Sequence, residues 1–148
     1  MGRILALDVG ERTIGVALSD ESQTFAFPGT TIQRQAEGHR KDLAAVRTIV
    51  EAQEVERVVI GHPVMMDGSE GVQATKASEF ARLLARAITV PIMLQDERLS
   101  TAESERVLRT AEVPKSKRKA VVDSMAASLI LQRYLQFPGG STTFGETA

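Results

Sequence analysis

Short apolar runs alternate along this chain with longer segments of helical periodicity, and this alternation constrains the fold more than any other feature. Five runs are typical of strands: residues 4–9, 14–18, 24–32, 57–61 and 90–94. The first run is apolar on successive positions, as in a strand buried on both faces. A turn at residues 10–13 joins it to the second run, so the two predict a hairpin. Pro28 and Gly29 weaken the third run as a strand.

Four segments predict helices: residues 39–53, residues 72–88, a segment that opens at Ser100, and residues 116–136. Ser100 stands three residues before Glu103, which is a capping-box pattern. The predicted order is β-β-β-α-β-α-β-α-α. Strands that alternate with helices favour an α/β fold with helices on both faces of one sheet. The opening hairpin makes this five-stranded sheet a mixed one.

Length and composition suit one cysteine-free domain. A chain of 148 residues with 43% apolar and 25% charged residues is ordinary for a globular protein. The absence of cysteine excludes disulfides, thiolate metal sites and a cysteine nucleophile. No apolar run approaches the ~20 residues of a membrane helix, and the first residues lack the pattern of a signal peptide. We expect a cytoplasmic protein with one domain over residues 1–137 and a disordered tail over residues 138–148.

Charge is distributed unevenly between the two halves of the chain. Residues 1–74 carry a net charge of −4, whereas residues 75–148 carry a net charge of +3. Four cations fall within five residues: Lys115, Lys117, Arg118 and Lys119. The second half is therefore the better candidate to bind an anion such as nucleic acid. A solvated helix start would give the same local count, so this alternative stays open.

Acidic residues interrupt apolar or ordered segments at three places. Asp8 closes the most apolar strand, Asp96 and Glu97 follow the fifth strand, and Asp123 lies on the apolar stripe of the last helix. Strands disfavour Asp, and a buried carboxylate without a partner is costly. Each position also has a structural alternative. Asp8 can cap a turn, Asp96 and Glu97 can form a polar loop, and Asp123 can pair with Lys119.

Together these acids predict a cation site. Ligands of α/β sheets bind at the carboxyl ends of the strands. Asp8 would meet only one of Asp96 and Glu97 there, because consecutive strand residues face opposite sides. Oxygen ligands alone suit Mg²⁺ or Mn²⁺. Two such ions about 3.5–4 Å apart would activate water and stabilise the leaving oxygen of a phosphodiester.

Four segments resemble the YqgF/RuvX family. They read LALDVGERTIGVA over residues 5–17, IGHPVMMDGS over 60–69, DERLSTAE over 96–103 and VDSMAA over 122–127. The resemblance extends from about Ile4 to Tyr134. Family members are bacterial proteins described as Holliday junction resolvases and as nucleases for the small-subunit ribosomal RNA precursor. The resemblance implies a ribonuclease-H-like fold and metal-dependent phosphodiester cleavage in precursor RNA or branched DNA.

The resemblance also implies which residues act. Asp8 matches the acid that ends the family's first strand, Glu97 matches the glutamate of its Asp-Glu-Arg motif, and Asp123 matches the acid of its last helix. These are the implied catalytic residues and the implied ligands of Mg²⁺ or Mn²⁺, with two ions expected. The related RuvC resolvases carry a further acid where this chain has Ala126. Asp96 or water would have to complete a second metal site.

Several cations near these acids are candidates to bind phosphates. They are Arg12, Arg98, Lys117, Arg118 and Lys119. Arg98 can alternatively pair with a neighbouring acid. The loop at residues 62–71 follows a strand, and its glycines permit a phosphate to approach the backbone, although ordinary turn chemistry also explains them. His62 in this loop is a candidate proton shuttle or a structural histidine.

Two further functions stay open. Asp8, Val9 and Gly10, followed by Gly15, also resemble the first phosphate loop of actin-like ATPases. Those enzymes need two such domains, and this chain has the length of one and no Gly-x-x-x-x-Gly-Lys loop. The other alternative is a nuclease-like module that binds RNA without cutting it. A homodimer would suit a two-fold symmetric junction.

Overall fold

The computed structural model describes residues 2–34, 38–65, 67, 69–96, 118–138 and 141–144, and within residues 118–124 it describes the helix but not the side chains. Its strands are β1 (Arg3–Val9), β2 (Thr13–Ser19), β3 (Ala26–Gln33), β4 (Val55–His62), β5 (Ile92–Asp96) and β6 (Ser141–Thr143). Its helices are α1 (Arg40–Ala52), α2 (Val72–Ala87) and α3 (Arg118–Gln136). The predicted helix that opens at Ser100 lies outside the described residues. None of the helices described is long and apolar enough to cross a membrane.

The six strands form one mixed sheet in the order β3-β2-β1-β4-β5-β6. β1, β2 and β3 make an antiparallel meander, in which Leu7 lies opposite Val16 and Leu18 lies opposite Phe27. β4 pairs parallel with β1, and β5 pairs parallel with β4. The carboxyl ends of β1, β4 and β5 therefore meet at one edge of the sheet. The predicted mixed sheet is confirmed.

The sheet separates two apolar cores. The larger core joins alternate residues of the central strands to the inner faces of α1 and α2: Leu5, Leu7, Val58, Ile60, Val46, Phe80 and Leu84. The smaller core joins the other alternate residues to α3: Ile4, Ala6, Ala17, Val59, Ala127, Ile130, Leu131 and Tyr134. Helices thus cover both faces, as predicted. This double burial is why the run of β1 is apolar on successive positions.

β3 is an edge strand and tolerates Pro28 and Gly29 for that reason. Its ladder with β2 is irregular between Gly15 and Ala17. A Cβ atom at Gly29 would lie 3.1 Å from the carbonyl oxygen of Val16, so glycine permits the two strands to approach there. Proline is tolerated because an edge strand does not need every N–H for pairing.

The C-terminal segment corrects two predictions. Ser141–Thr143 forms β6, antiparallel to β5, so the sheet has six strands and not five. The prediction of disorder is wrong for these residues. The N–H of Phe144 donates to the carbonyl of Ile92 at 2.7 Å, and the Phe144 side chain packs against the larger core. The segment is short and polar, so no apolar alternation marks it, and the open edge of β5 supplies its partners.

Candidate active site

Asp8 lies at the carboxyl end of β1, on the face that α3 covers. Ile4 and Ala6 contribute to the smaller core beneath α3, and alternation along the strand puts Asp8 on the same side. Its side chain is half-buried. Its register partner on β2 is Gly15, which leaves the neighbouring position without a side chain. The strand therefore carries a carboxylate to the sheet edge where α/β proteins bind ligands.

α3 covers the face of the sheet on which Asp8 lies. The hydroxyl of Tyr134 accepts a hydrogen bond from Arg57, whose register partner on β1 is Ile4. The end of α3 therefore lies over the start of β1. Position 123 lies on this helix, eleven residues before Tyr134.

Gln95 shares the level and the face of Asp8. Gly61 pairs with Gln95, and Asp8 follows the last β1–β4 pair, Leu7 with Ile60, so Gly61 lies between Asp8 and Gln95. Gln95 is 5% exposed, and its buried Oε1 has no hydrogen-bond partner among the residues that the structure describes. The sequence analysis missed this residue. The available signal was its position one residue before Asp96, which alternation assigns to the face of Asp8.

Asp96 lies on the opposite face of the sheet. Leu94 packs against the larger core and Met93 against the smaller one, so alternation puts Asp96 on the side of α1 and α2. Its side chain is exposed. The suggestion that Asp96 completes a second metal site is therefore wrong, because its carboxylate and that of Asp8 project from opposite sides. Glu97 lies outside the described residues.

His62 also lies on the face opposite Asp8. It pairs in register with Asp96 at the end of β4. Its Nε2 is 3.3 Å from Oε1 of Glu70, without the alignment of a hydrogen bond. The hydroxyls of Thr75 and Ser78 donate to the other oxygen of Glu70 at 3.4 and 3.3 Å. This arrangement matches the structural reading of His62, and it does not bring the imidazole to Asp8.

The loop that follows His62 contains ordinary turn bonds. Oδ1 of Asp67 accepts hydrogen bonds from the N–H and the hydroxyl of Ser69, at 2.9 and 2.6 Å. The N–H of Met65 donates to the carbonyl of Ser69 at 2.8 Å. Gly71 then caps α2 without a side-chain hydrogen bond to the helix. These bonds favour turn chemistry as the reason for this sequence.

The predicted phosphate-binding cations are only partly described. Arg12 is exposed in the turn after Asp8. A hydrogen bond of 2.8 Å from the Gly10 N–H to the Thr13 carbonyl closes this turn. Arg118 and Lys119 are the first two residues of α3. Arg98 and Lys117 lie outside the described residues. Among the five candidates, the structure thus describes the side chain of Arg12, and for Arg118 and Lys119 it describes the helix alone.

The donors around Asp8 fit a hard cation. In the part of the chain that the structure describes, no three His, Cys, Asp or Glu side chains form a metal site. Two of the predicted ligands, Glu97 and the Asp123 side chain, lie outside that part. Asp8 contributes a half-buried carboxylate, and Gln95 contributes a buried amide oxygen without a partner at the same level. Carboxylate and amide oxygens are ligands of Mg²⁺ and Mn²⁺.

The sequence model of a family described as "RuvX: Holliday junction resolvase" matches residues 2–137. The chain belongs to the RuvX family. The resemblance seen in the four motifs is thereby confirmed. A relative from Syntrophus aciditrophicus, named "Putative pre-16S rRNA nuclease", is 47% identical over 133 residues, which are 90% of this chain and 87% of the relative. A relative of the same name from Thermoanaerobacter pseudethanolicus is 46% identical over 134 residues, 90% of this chain and 95% of the relative.

Solved structures share the fold of this RuvX protein. RuvC of T. thermophilus in complex with a Holliday junction substrate superposes with a TM-score of 0.59 at 13% identity, over 97% of this chain and all of the RuvC chain. The Holliday junction resolvase of fowlpox virus gives a TM-score of 0.52 at 14% identity, over 90% of this chain and 98% of the viral chain. At such identities the likeness concerns the fold, and it confirms the predicted ribonuclease-H-like α/β architecture.

Proposed function

We propose that this RuvX protein is a divalent-metal-dependent endonuclease that cuts the 16S ribosomal RNA precursor at its 5′ end, with Holliday junction DNA as the second candidate substrate. The observation that carries the proposal is the position of Asp8. Its side chain is half-buried at the carboxyl end of β1, on the face of the sheet that α3 covers. The names of the relatives point to the RNA substrate, and the family description points to the junction.

We assign the catalytic and metal-binding roles to Asp8, Glu97 and Asp123. Their carboxylates would hold Mg²⁺ or Mn²⁺, with two ions expected, and ions bound there activate water and neutralise charge on the leaving oxygen. Asp8 would orient its oxygens from the end of a rigid strand, which fixes them better than a loop would. Position 126 is a fully buried alanine, so the fourth acid of RuvC has no counterpart there. The buried oxygen of Gln95 is a further described donor at the level of Asp8 on this face.

Substrate binding falls to the cations that flank these acids. Arg12 is exposed in the turn after Asp8, and Arg118 and Lys119 begin α3. Arg98 and Lys117 adjoin the acidic motif and the helix start in the sequence. Contacts of this kind position the phosphate backbone and carry little sequence information. We therefore expect the shape of the nucleic acid to decide which bond is cut.

The setting of the protein follows from the same function. We propose that residues 1–137 form the nuclease domain, in agreement with the match of the family over residues 2–137. A nuclease for precursor RNA would work in the cytoplasm. Cleavage of a two-fold symmetric junction would call for a homodimer, because two cuts need two sites related by the same symmetry.

A panel of labelled substrates tests this function. The panel contains RNA that carries the precursor sequence at the 5′ end of 16S rRNA, a Holliday junction, duplex DNA and single-stranded DNA. Each is incubated with Mg²⁺, Mn²⁺ or a chelator. We expect cleavage of the precursor RNA with metal and none with chelator. Binding of RNA without cleavage in any metal would favour the non-cutting module, and thermal stabilisation by ATP would favour the actin-like alternative.

A further inference from the structure

The guanidinium of Arg34 is largely buried beside the turn that follows Asp8, and it contacts four other residues there. Its Nε donates to Oδ2 of Asp42 at 3.0 Å, and its Nη1 donates to the carbonyl of Gly10 at 2.7 Å. Its Nη2 lies 3.0 Å from Nδ1 of His39. The plane sits 5.6 Å from the centre of the Phe80 ring. The side chain is 11% exposed, so these contacts are made largely out of water.

The backbone of Arg34 holds the other end of the same turn. Its N–H donates to the carbonyl of Arg12 at 2.8 Å, one step beyond the last β2–β3 pair, Thr13 with Gln33. Arg34 therefore binds the carbonyls of both Gly10 and Arg12 in the turn between β1 and β2. An exposed ion pair of 3.5 Å between Lys76 and Glu11 adds a weaker link from α2 to the middle of the turn.

Stability alone gives a poor account of this cluster. Asp42 is 1% exposed, and its buried Oδ1 accepts no hydrogen bond from the described part of the chain. A buried ion pair commonly stabilises a fold no better than apolar side chains of the same volume. What the ion pair adds is a fixed orientation, because the planar guanidinium of arginine donates hydrogen bonds in set directions and an apolar contact does not. Here the guanidinium joins the first turn of α1, through Asp42, to the turn that begins two residues after Asp8.

We propose that Arg34 is a positioning residue of the active site, a role that rests on the nuclease function proposed above. Its hydrogen bond to the Gly10 carbonyl fixes the conformation of the backbone that follows Asp8. Asp42 orients the guanidinium and keeps it from swinging toward solvent. The Asp8 carboxylate and the exposed Arg12 then keep fixed positions at the carboxyl ends of the strands. Small displacements of such groups cost much activity, since catalysis depends on placement within fractions of an ångström.

Arg34→Lys tests this role, because lysine keeps the charge but cannot reach Asp42 and Gly10 together. Two quantities are measured well below the unfolding temperature. The first is amide hydrogen exchange at Gly10 in the metal-free protein, and the second is single-turnover cleavage of the precursor RNA over a range of protein concentrations. We expect Gly10 to exchange at least about tenfold faster. We also expect the maximal rate to fall about tenfold, while the concentration for half-maximal rate changes less than about twofold.

Two further variants keep the result interpretable. Arg47→Lys alters an arginine on α1 that forms an exposed pair with Glu51 at 3.1 Å, and it should change neither quantity. Asp42→Asn keeps the shape of the side chain that pairs with Arg34, and we expect it to shift both quantities in the same direction. It takes the place of Arg34→Lys if the lysine variant does not fold.

Unchanged exchange at Gly10 would overturn the role of Arg34, as would faster exchange with an unchanged maximal rate. Faster amide exchange throughout the larger core would also overturn this role, because it would show that the variant destabilises the whole fold and not the turn alone. The exchange measurement uses neither metal nor substrate. A wild-type protein that does not cut RNA would therefore refute the nuclease function, while the exchange at Gly10 would still decide whether Arg34 holds the turn.

Discussion

The guanidinium of Arg57 donates a hydrogen bond to the hydroxyl of Tyr134, which joins the start of β4 to the last turn of α3. The guanidinium also lies 6.0 Å from the centre of the tyrosine ring, and Tyr134 is 3% exposed. This pair fixes the end of α3 over the start of β1. The pair thus ties the helix that carries position 123 to the face of the sheet on which Asp8 lies.

Replacing Tyr134 with Phe removes this hydrogen bond and keeps the ring. We expect the free energy of unfolding to fall by about 1 kcal/mol, because a partly buried donor of Arg57 loses its partner. Cleavage at saturating protein should stay close to the wild-type rate, since the ring still packs in the smaller core. Urea unfolding and single-turnover cleavage measure the two effects. Tyr134→Ala is the control and should cost about 3–5 kcal/mol. A Phe variant as stable as the wild type would show that the hydroxyl does not hold α3.

Glu97 and Asp96 should differ sharply in their effect on cleavage. Asp96 is exposed on the face opposite Asp8, and the match to the family's Asp-Glu-Arg motif assigns the catalytic role to Glu97. Glu97→Gln should therefore abolish most activity, while Asp96→Asn should retain most of it. Both variants lose one carboxylate, so each serves as the charge control for the other. The reverse ranking in a single-turnover assay would mean that the acidic motif faces the other way.

The cations at the start of α3 should contribute to affinity and not to the chemical step. Each phosphate that a protein neutralises contributes about −0.9 to the slope of log affinity against log salt on duplex DNA. Lys117, Arg118 and Lys119 cannot all point the same way on a helix, so we expect about two contacts. Replacing all three with Ala should weaken binding to every substrate and flatten the slope by roughly two units. The rate at saturation should persist. An unchanged slope would assign the phosphate contacts to other residues, with Arg98 and the loop at 62–71 next in order.

Asp20 gives the fold a defined dependence on acid. Hydrogen bonds from the Phe25 N–H, the Ser22 hydroxyl and the Thr24 N–H lower the pKa of Asp20 from 3.8 to about 2. A depressed pKa in the folded state means that the stabilisation is complete above pH ~4 and is lost as the pH falls toward 2. The difference in unfolding free energy between wild type and Asp20→Asn should therefore shrink over this window. Urea unfolding at several pH values measures it.

A neighbouring carboxylate provides the control for Asp20. Glu21→Gln removes a charge next to Asp20 but leaves in place the acceptor of the Phe25 and Thr24 amides. The difference between wild type and this variant should not follow the same window. A difference between wild type and Asp20→Asn that stays constant from pH 5 to pH 2 would contradict the assigned pKa.

The elements that could be predicted from the sequence are those with burial on a regular period. β1 and β4 lie between two layers of helix, so their apolar runs identified them directly. β6 has no such signal, because its three polar residues are fixed by the open edge of β5 and by Phe144, which packs in the larger core. Backbone pairing of this kind depends on a partner about fifty residues away, which local patterns do not record.

The candidate site divides in the same way. Asp8 was predictable because an acid at the end of a buried strand violates the local preference of that strand. Gln95 was missed although alternation places it on the same face as Asp8, since a single polar residue near a strand end is ordinary. Arg34 carried no local signal at all. Its partners are Gly10, 24 positions earlier, and Asp42, eight positions later, and only the folded chain brings them together.

Asp8→Asn tests the central claim most directly, because it changes one atom at the carboxyl end of β1. Single-turnover cleavage of the precursor RNA in Mn²⁺ and urea unfolding of the metal-free protein are measured on the same preparation. Asp20→Asn, which alters a carboxylate at the opposite edge of the sheet, is the matched control and should cut normally. We expect Asp8→Asn to lose cleavage and to be at least as stable as the wild type, because one of several repelling carboxylates has become neutral. An Asp8→Asn protein that cuts at the wild-type rate would contradict the assignment of the active site.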